Sequence, residues 1–265
     1  MEMEFKTKEF PYWRPVLRQM QAQEQTQEIR LTEDLPDVGR ILGIWGQVIH
    51  RAKEWRGDSV NFSGGILVYI PFAGEDGTNH CMESWMPFQC RWEPDNLNRE
   101  GVARIQCRIR SLDARTVSAR KIVARCSLGA VAEISVPEKT MIAEPGEISN
   151  KVELLKVRYP VVVPREAGEK AFRVEEVISL PGNLPAPGKI VSSTVEPALA
   201  EAKVIGNKIV FRGNAELHLV YMTAEGEPVS ADLQVPFSQF IQLEEDISAE
   251  GQPDLQIGIT GLELE

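Results

Sequence analysis

Gly57 to Phe88, GDSVNFSGGILVYIPFAGEDGTNHCMESWMPF, recurs 149 residues later as Gly206 to Phe237, GNKIVFRGNAELHLVYMTAEGEPVSADLQVPF. No gap is needed to align them: Gly57 falls on Gly206, Phe62 on Phe211, Gly64 on Gly213, Gly77 on Gly226, and Pro87-Phe88 on Pro236-Phe237. Upstream, Leu35-Pro36, Gly39 and Ile41 fall on Leu184-Pro185, Gly188 and Ile190, and downstream, after a slip of one, Ile105 to Leu112 (IQCRIRSL) meets Leu255 to Leu262 (LQIGITGL). A tandem repeat of this kind restricts the chain to two related units. What repeats is a framework of apolar alternation and turn residues; no set of reactive side chains repeats with it.

The period of that framework is two. Val102 to Leu112 alternates Ile105, Cys107 and Ile109 with Arg104, Gln106, Arg108 and Arg110, the pattern of a half-buried strand. Arg56-Gly57-Asp58-Ser59 and Ile205-Gly206-Asn207-Lys208 carry the chemistry of a tight hairpin, and Gly74 to Thr78 supplies the next turn. Helix over Val48 to Trp55 is disfavoured because the copy holds Pro197 opposite Val48. The pattern predicts an all-β chain: two tandem units, each a β-sandwich or partly open barrel, spanning residues 1–149 and 150–265. A turn is expected at Asp113 to Thr116, with Val117 to Cys126 returning as a strand, and a further strand at Lys151 to Val163. The run MQAQEQTQE fits an edge strand and a disordered segment equally. The second unit has no counterpart of Arg115 to Cys126, so we expect a half-unit or a piece of something longer.

Charge and cysteine usage exclude several classes. The net charge of −10 argues against a general nucleic-acid or anionic-membrane binder. It is unevenly shared: residues 1–149 hold 19 Lys+Arg against 21 Asp+Glu, and residues 150–265 hold 10 against 18. The N-terminus MEMEFKTKEF has no signal-like apolar core and no stretch reaches the ~20 apolar residues of a membrane span, so a cytoplasmic start is expected. Cys81, Cys90, Cys107 and Cys126 all lie in the first unit, and the aligned positions of the first three hold Ser230, Gln239 and Ile257. A disulfide framework would be expected in both copies, so the sequence predicts free thiols.

The pattern LPxxGxI, the Gly-turned hairpin running to Phe72 or Tyr221, the acidic turn, the MPF or VPF, and the run RTVSARKI resemble the SPOCS domain. That domain occurs in sporulation-associated proteins of endospore-forming Firmicutes, including proteins that help attach coat layers around the forespore. The resemblance covers roughly residues 28 to 135 and 170 to 265. It implies a non-enzymatic structural or adaptor role in spore coat or envelope assembly, in the mother-cell cytoplasm at the forespore surface. Its implied partners are other coat or envelope morphogenetic proteins. The family carries no catalytic residues to transfer, and its frequent C-terminal LysM module is not visible here.

Candidate chemistry is sparse. His50, His80 and His218 lack CxxC or HxxxH partners, so no metal site is expected, and Ser63-Gly64-Gly65 neither opens a helix nor precedes Lys-Ser/Thr, so no phosphate cofactor is either. One cluster stands out: Arg104, Arg108, Arg110, Arg115, Arg120, Lys121 and Arg125 place seven basic residues in 22 positions against Asp113 alone. On one sheet face they would form either a solvated, salt-bridged ladder or a docking surface for an acidic partner. No aromatics interleave to stack bases, which disfavours nucleic acid. With the acidic Glu244-Glu245-Asp246 and Glu263 to Glu265, the stripe also allows head-to-tail self-association or contact with the second unit of its own chain. The alternative class is a carbohydrate-binding module using Trp13, Trp45, Trp55, Trp85 and Trp92, of which Trp55 and Trp92 are the easiest to explain by burial.

Overall fold

The structure, a computed structural model, describes residues 5–95, 101–145, 155, 157, 159, 161–244, 246, 247 and 251–264. Ten strands follow in chain order: β1 (Phe5–Arg30), β2 (Val38–Ile41), β3 (Trp45–Arg56), β4 (Ser59–Gly74), β5 (Asn79–Trp92), β6 (Val102–Ser118), β7 (Lys121–Pro145), β8 (Lys189–Ile205), β9 (Lys208–Met222) and β10 (Pro228–Gln242). Among the described residues there is no helix, and all recorded pairings are antiparallel.

The first unit is a sandwich of two sheets. In one, β4 is central, with β5 along one side and β3 then β2 along the other; the second has the order β1-β7-β6. Even-numbered residues of β4, β5 and β7 point between them. Ile66, Ile70, Phe72, Met86, Ile122, Leu128 and Ile134 fall in one buried cluster. Each such side chain stabilises the fold by roughly 1.5–3 kcal/mol relative to exposure. Neither sheet closes on itself, so of the two expected architectures the sandwich is the one adopted.

The second unit repeats the first of these sheets, register for register. Trp45 pairs with Tyr69 as Thr194 pairs with His218, and Phe62 with Cys90 as Phe211 with Gln239. Even the irregularity in β3 between His50 and Ala52 returns in β8 between Leu199 and Glu201. Gly57 and Gly206 open the hairpins at φ +65° and +58°, where a side chain would be strained. The following turns share their hydrogen bonds: Gly74 N–H donates to Thr78 O as Thr223 N–H donates to Glu227 O, both at 2.9 Å.

Two local expectations need correction, and one open reading is decided. β6 runs on through Asp113 to Thr116 and turns only at Ala119-Arg120, because bulges at Ile109/Ser111 and Thr116/Ser118 absorb the register change that resembled a turn. Lys151 to Val163 is no strand at its described positions, 155, 157, 159 and 161–163, where no ladder partner lies alongside. The Gln-rich run, left open above, is part of β1 and pairs with β7 along its length. Its odd-numbered glutamines reach across the open side of the sandwich: Gln21 Nε2 donates to Arg91 O at 2.6 Å and Gln23 Nε2 to Gln89 O at 2.5 Å. Long polar side chains thus satisfy backbone carbonyls of β5 that no strand reaches. The unit boundary expected at 149/150 lies outside the described residues.

Candidate functional site

The seven basic residues of β6 and β7 separate into two groups. Three are engaged within the chain. Arg104 holds Asp254 of the second unit through two hydrogen bonds of 2.5 and 3.1 Å. Arg120, at the β6–β7 turn, pins the loop before β2 by donating to Asp37 Oδ1 at 2.7 Å, Thr32 O at 2.8 Å and Leu35 O at 3.2 Å. Lys121 pairs with Glu28 of β1 at 2.9 Å and, as the largest cause, holds that carboxyl below its ordinary pKa.

The other four, Arg108, Arg110, Arg115 and Arg125, are exposed and make no ion pair with any described residue. Pairing puts them on one face. Arg125 is an odd residue of β7, facing away from the core; Arg108 lies opposite Gly129 and Arg115 opposite Val123. Gly129 lets the Arg110 stem cross β7, since a Cβ there would sit 3.2 Å from Arg110 Cδ. The result is a patch of four guanidinium groups with Asp113 opposite Arg125 set among them and Glu24 and Glu28 of β1 on the same face beside Arg125.

The remaining sequence candidates are brought into packing roles. Trp92 is fully buried, Trp85 lies over Gly65 under the Arg51 guanidinium at 4.9 Å, and Trp13, Trp45 and Trp55 are half-buried. None of the five is exposed. Burial pushes the thiols up, to about 11 for Cys81, Cys90 and Cys126 and about 12 for Cys107, so they are poor nucleophiles at neutral pH. His80 stacks on Phe72 and takes part in a turn with Asp76 and Thr78. Among the described residues no three His, Cys, Asp or Glu side chains converge as a metal site would require.

Beyond the contact of the stripe with the second unit through Arg104, the junction between units is made by residues the sequence did not single out. His50 N–H donates to Ile259 O at 2.8 Å, Gln256 Nε2 to Ile105 O at 2.7 Å, and Val195 N–H to Gln47 Oε1 at 2.8 Å. None of these residues carries a compositional signal; only the matching of the two copies could have drawn attention to 255–262. The His50 ring is edge-on to Phe62 at 5.0 Å, and burial, then the charge of Lys53, lowers its pKa from 6.5. A histidine held neutral in the fold takes up its proton more readily when unfolded. Stability should therefore be flat above about pH 6.5 and fall as pH drops below it, levelling only under the folded-state pKa. Urea midpoints at pH 7.5 and 5.5 should differ in the natural chain, and that difference should shrink in His50→Gln.

The Arg104–Asp254 pair is a smaller contributor. Its carboxylate is largely exposed, so Arg104→Ala should cost no more than about 1 kcal/mol in a denaturation curve. The Arg104 hydrogen bond lowers the Asp254 pKa below 3.8, so this contribution is present at neutral pH and disappears in acid as that carboxylate protonates.

No helix of the described residues is long and apolar enough to cross a membrane. Among known proteins, no curated protein and no solved structure matches the chain. Residues 187–264 match the family model described as SipL, SPOCS domain, a span that holds β8, β9, β10 and the segment packed on Arg104. Residues 187–264 are thus similar to the SPOCS domain, the family that the repeat pattern resembles.

Proposed function

We propose that the protein is a non-enzymatic adaptor in spore coat or spore envelope assembly and that the outer face of β6 and β7 binds an acidic protein partner. The SPOCS match supports the sporulation setting. The observation that carries the binding role is the patch of Arg108, Arg110, Arg115 and Arg125, four exposed cations with no ion pair among the described residues. Predominantly basic patches of this kind steer and orient partners more than they add affinity, and their effect is screened over a Debye length of about 10 Å at 0.1 M salt.

The patch stands apart from the Arg104–Asp254 contact, so the part of the stripe that meets its own second unit is not the part left for a partner. We place the protein in the mother cell at the forespore surface, with coat or envelope morphogenetic proteins as partners. Head-to-tail self-association is a specific form of the same reading. Of its acidic half, Glu245 and Glu265 lie outside the described residues, and Glu263 is 3.8 Å from Arg173.

The test is Arg108→Glu/Arg110→Glu. Both side chains are exposed, so the melting temperature should hold within about 2 °C, a surface-substitution effect. A fluorescent fusion in sporulating cells should lose its forespore ring. Light scattering of the purified chain across a salt series reads self-association separately. A variant that forms the ring as the natural chain does would remove the patch from the function.

A further inference from the structure

The outer edge of β6 is open along its middle, and we infer that the acidic partner of the arginine patch docks there as an added β-strand. That strand would turn aliphatic residues toward the core and carboxylates outward. The inference rests on the reading of the patch as a binding face, and it gives the partner a conformation.

β6 ends the sheet of order β1-β7-β6, and its ladder is to β7 alone. Its other edge is engaged only near the two ends. At the start, Ile105 O accepts from Gln256 Nε2 at 2.7 Å; past the end, Val38 N–H donates to Ala119 O at 2.8 Å. Between these points no described residue outside β7 hydrogen-bonds the main chain of 107–117. Edge strands are ordinarily kept short, broken by proline, bulged, charged or covered, because unpaired N–H and C=O groups invite another chain. β6 runs for 17 residues without proline; its guards are two bulges and its arginines.

The two faces of the strand define what fits beside it. Inward, Cys107, Ile109, Leu112 and Ala114 pack on the core of the first unit yet are only half-buried. Their ladder partners on β7, Ala130, Leu128, Cys126 and Ala124, are at most 1% exposed. A further strand with aliphatic side chains at every second position would cover that half-buried row as β6 covers β7.

Outward, Arg108 and Arg115 are exposed and make no ion pair with any described residue; Arg110 leans back over Gly129, and Asp113 stands opposite Arg125. Opposite charges directly across a ladder attract and like charges repel. A strand beside β6 is therefore favoured by carboxylates opposite Arg108 and Arg115 and by an uncharged residue opposite Asp113. Arginines on an open edge reject basic strands and admit acidic ones, so the same side chains guard the edge and select its occupant. Main-chain hydrogen bonds would supply the affinity and the alternation of side chains the specificity. With the bulge at Ile109/Ser111 counted as one place, a segment of about seven residues spans Arg108 to Arg115.

The probe is the peptide acetyl-Glu-Val-Ser-Val-Glu-Val-Glu-amide, which meets this pattern when laid antiparallel, titrated into the 265-residue chain. One-to-one binding is expected, with exchange of alternate amides across 107–115 slowed about tenfold or more and amides across 208–222 unchanged. Two further forms, N-methylated either at the valines or at the residues between them, separate main chain from side chain. Only alternate N–H groups of an added strand face its neighbour, so one form should bind like the parent and the other roughly tenfold more weakly. Equal binding of both forms, with exchange in β6 unchanged, would overturn strand addition and leave the patch as a binding face. The Arg108→Glu/Arg115→Glu chain, with both substitutions exposed, should keep its melting temperature, lose the peptide, and bind a version with lysine in place of glutamate. Unaltered binding of the parent peptide by that chain would overturn the charge matching and the patch reading together. No binding by the natural chain would overturn the inference. Protection of 107–115 that rises with protein concentration before peptide is added would overturn the external partner and give the edge to a second copy.

Discussion

Gly64→Ala and Gly213→Ala should each destabilise their unit by about 3 kcal/mol, at the upper end of the overpacking range. Neither glycine is needed for its backbone conformation, since the positive-φ glycines are Gly57, Gly77, Gly206 and Gly226. Space is the constraint. A Cβ on Gly64 would overlap Ile49 O and come within 2.8 Å of Phe88 Cζ; on Gly213 it would overlap Ala198 O and come within 2.8 Å of Phe237 Cζ. The obstructing carbonyls belong to adjacent strands beside the shared bulge, where the ladder prevents retreat. Interiors at crystal-like density have no slack to absorb a methyl there. Urea denaturation decides the matter: a cost below about 0.5 kcal/mol at either site would mean that the strands are not packed as described.

Phe62→Ala should cost about 3 to 5 kcal/mol and Phe211→Ala distinctly less. Both rings are 4% exposed and both meet the Phe of the Pro-Phe pair, Phe88 at 6.0 Å and Phe237 at 6.3 Å. Their surroundings differ. Phe62 is closed in by the second sheet of its sandwich, so removing the ring leaves a cavity that cannot collapse. Phe211 borders the cleft over the apolar face of the β8–β10 sheet, where Phe172 can settle inward. The difference between the two costs therefore reports how much less the β8–β10 sheet is covered than the β4 sheet among the described residues. Equal costs would imply that the cleft is closed in solution.

The strand framework could be read from spacing because its determinants are local: glycine at turns, alternation along strands, proline where a helix would otherwise continue. The repeat doubled each signal, which is why Phe62 with Phe211 and Gly57 with Gly206 come out as equivalent pairs. The turn after β6 escaped because Asp113 to Thr116 has turn-like composition, while the bulges that carry the strand past it depend on pairing with β7. The Gln-rich run was undecidable for a similar reason: its partners, Gln89 O and Arg91 O, lie more than 60 residues away. For the candidate site, composition located the basic cluster, and only the geometry sorted it. Arg104, Arg120 and Lys121 are structural ties, and Arg108, Arg110, Arg115 and Arg125 form the face proposed to bind.

The length of β1 sets the order in which the first unit can form. Its 26 residues leave the ribosome well before β7, yet every ladder bond they make is to β7, whose residues begin at Lys121. At about 5–20 residues per second, the strand waits several seconds for its partner with both edges open. An open edge of that length is a template for misassembly. Glutamines at alternating positions keep the waiting strand wettable, and charges at Arg14, Arg18, Glu24, Glu28 and Arg30 line its other face. Non-local pairing of this span places the unit among slow-folding β topologies. Substituting those glutamines with valine should raise aggregation during synthesis far more than it changes the stability of chains that have already folded.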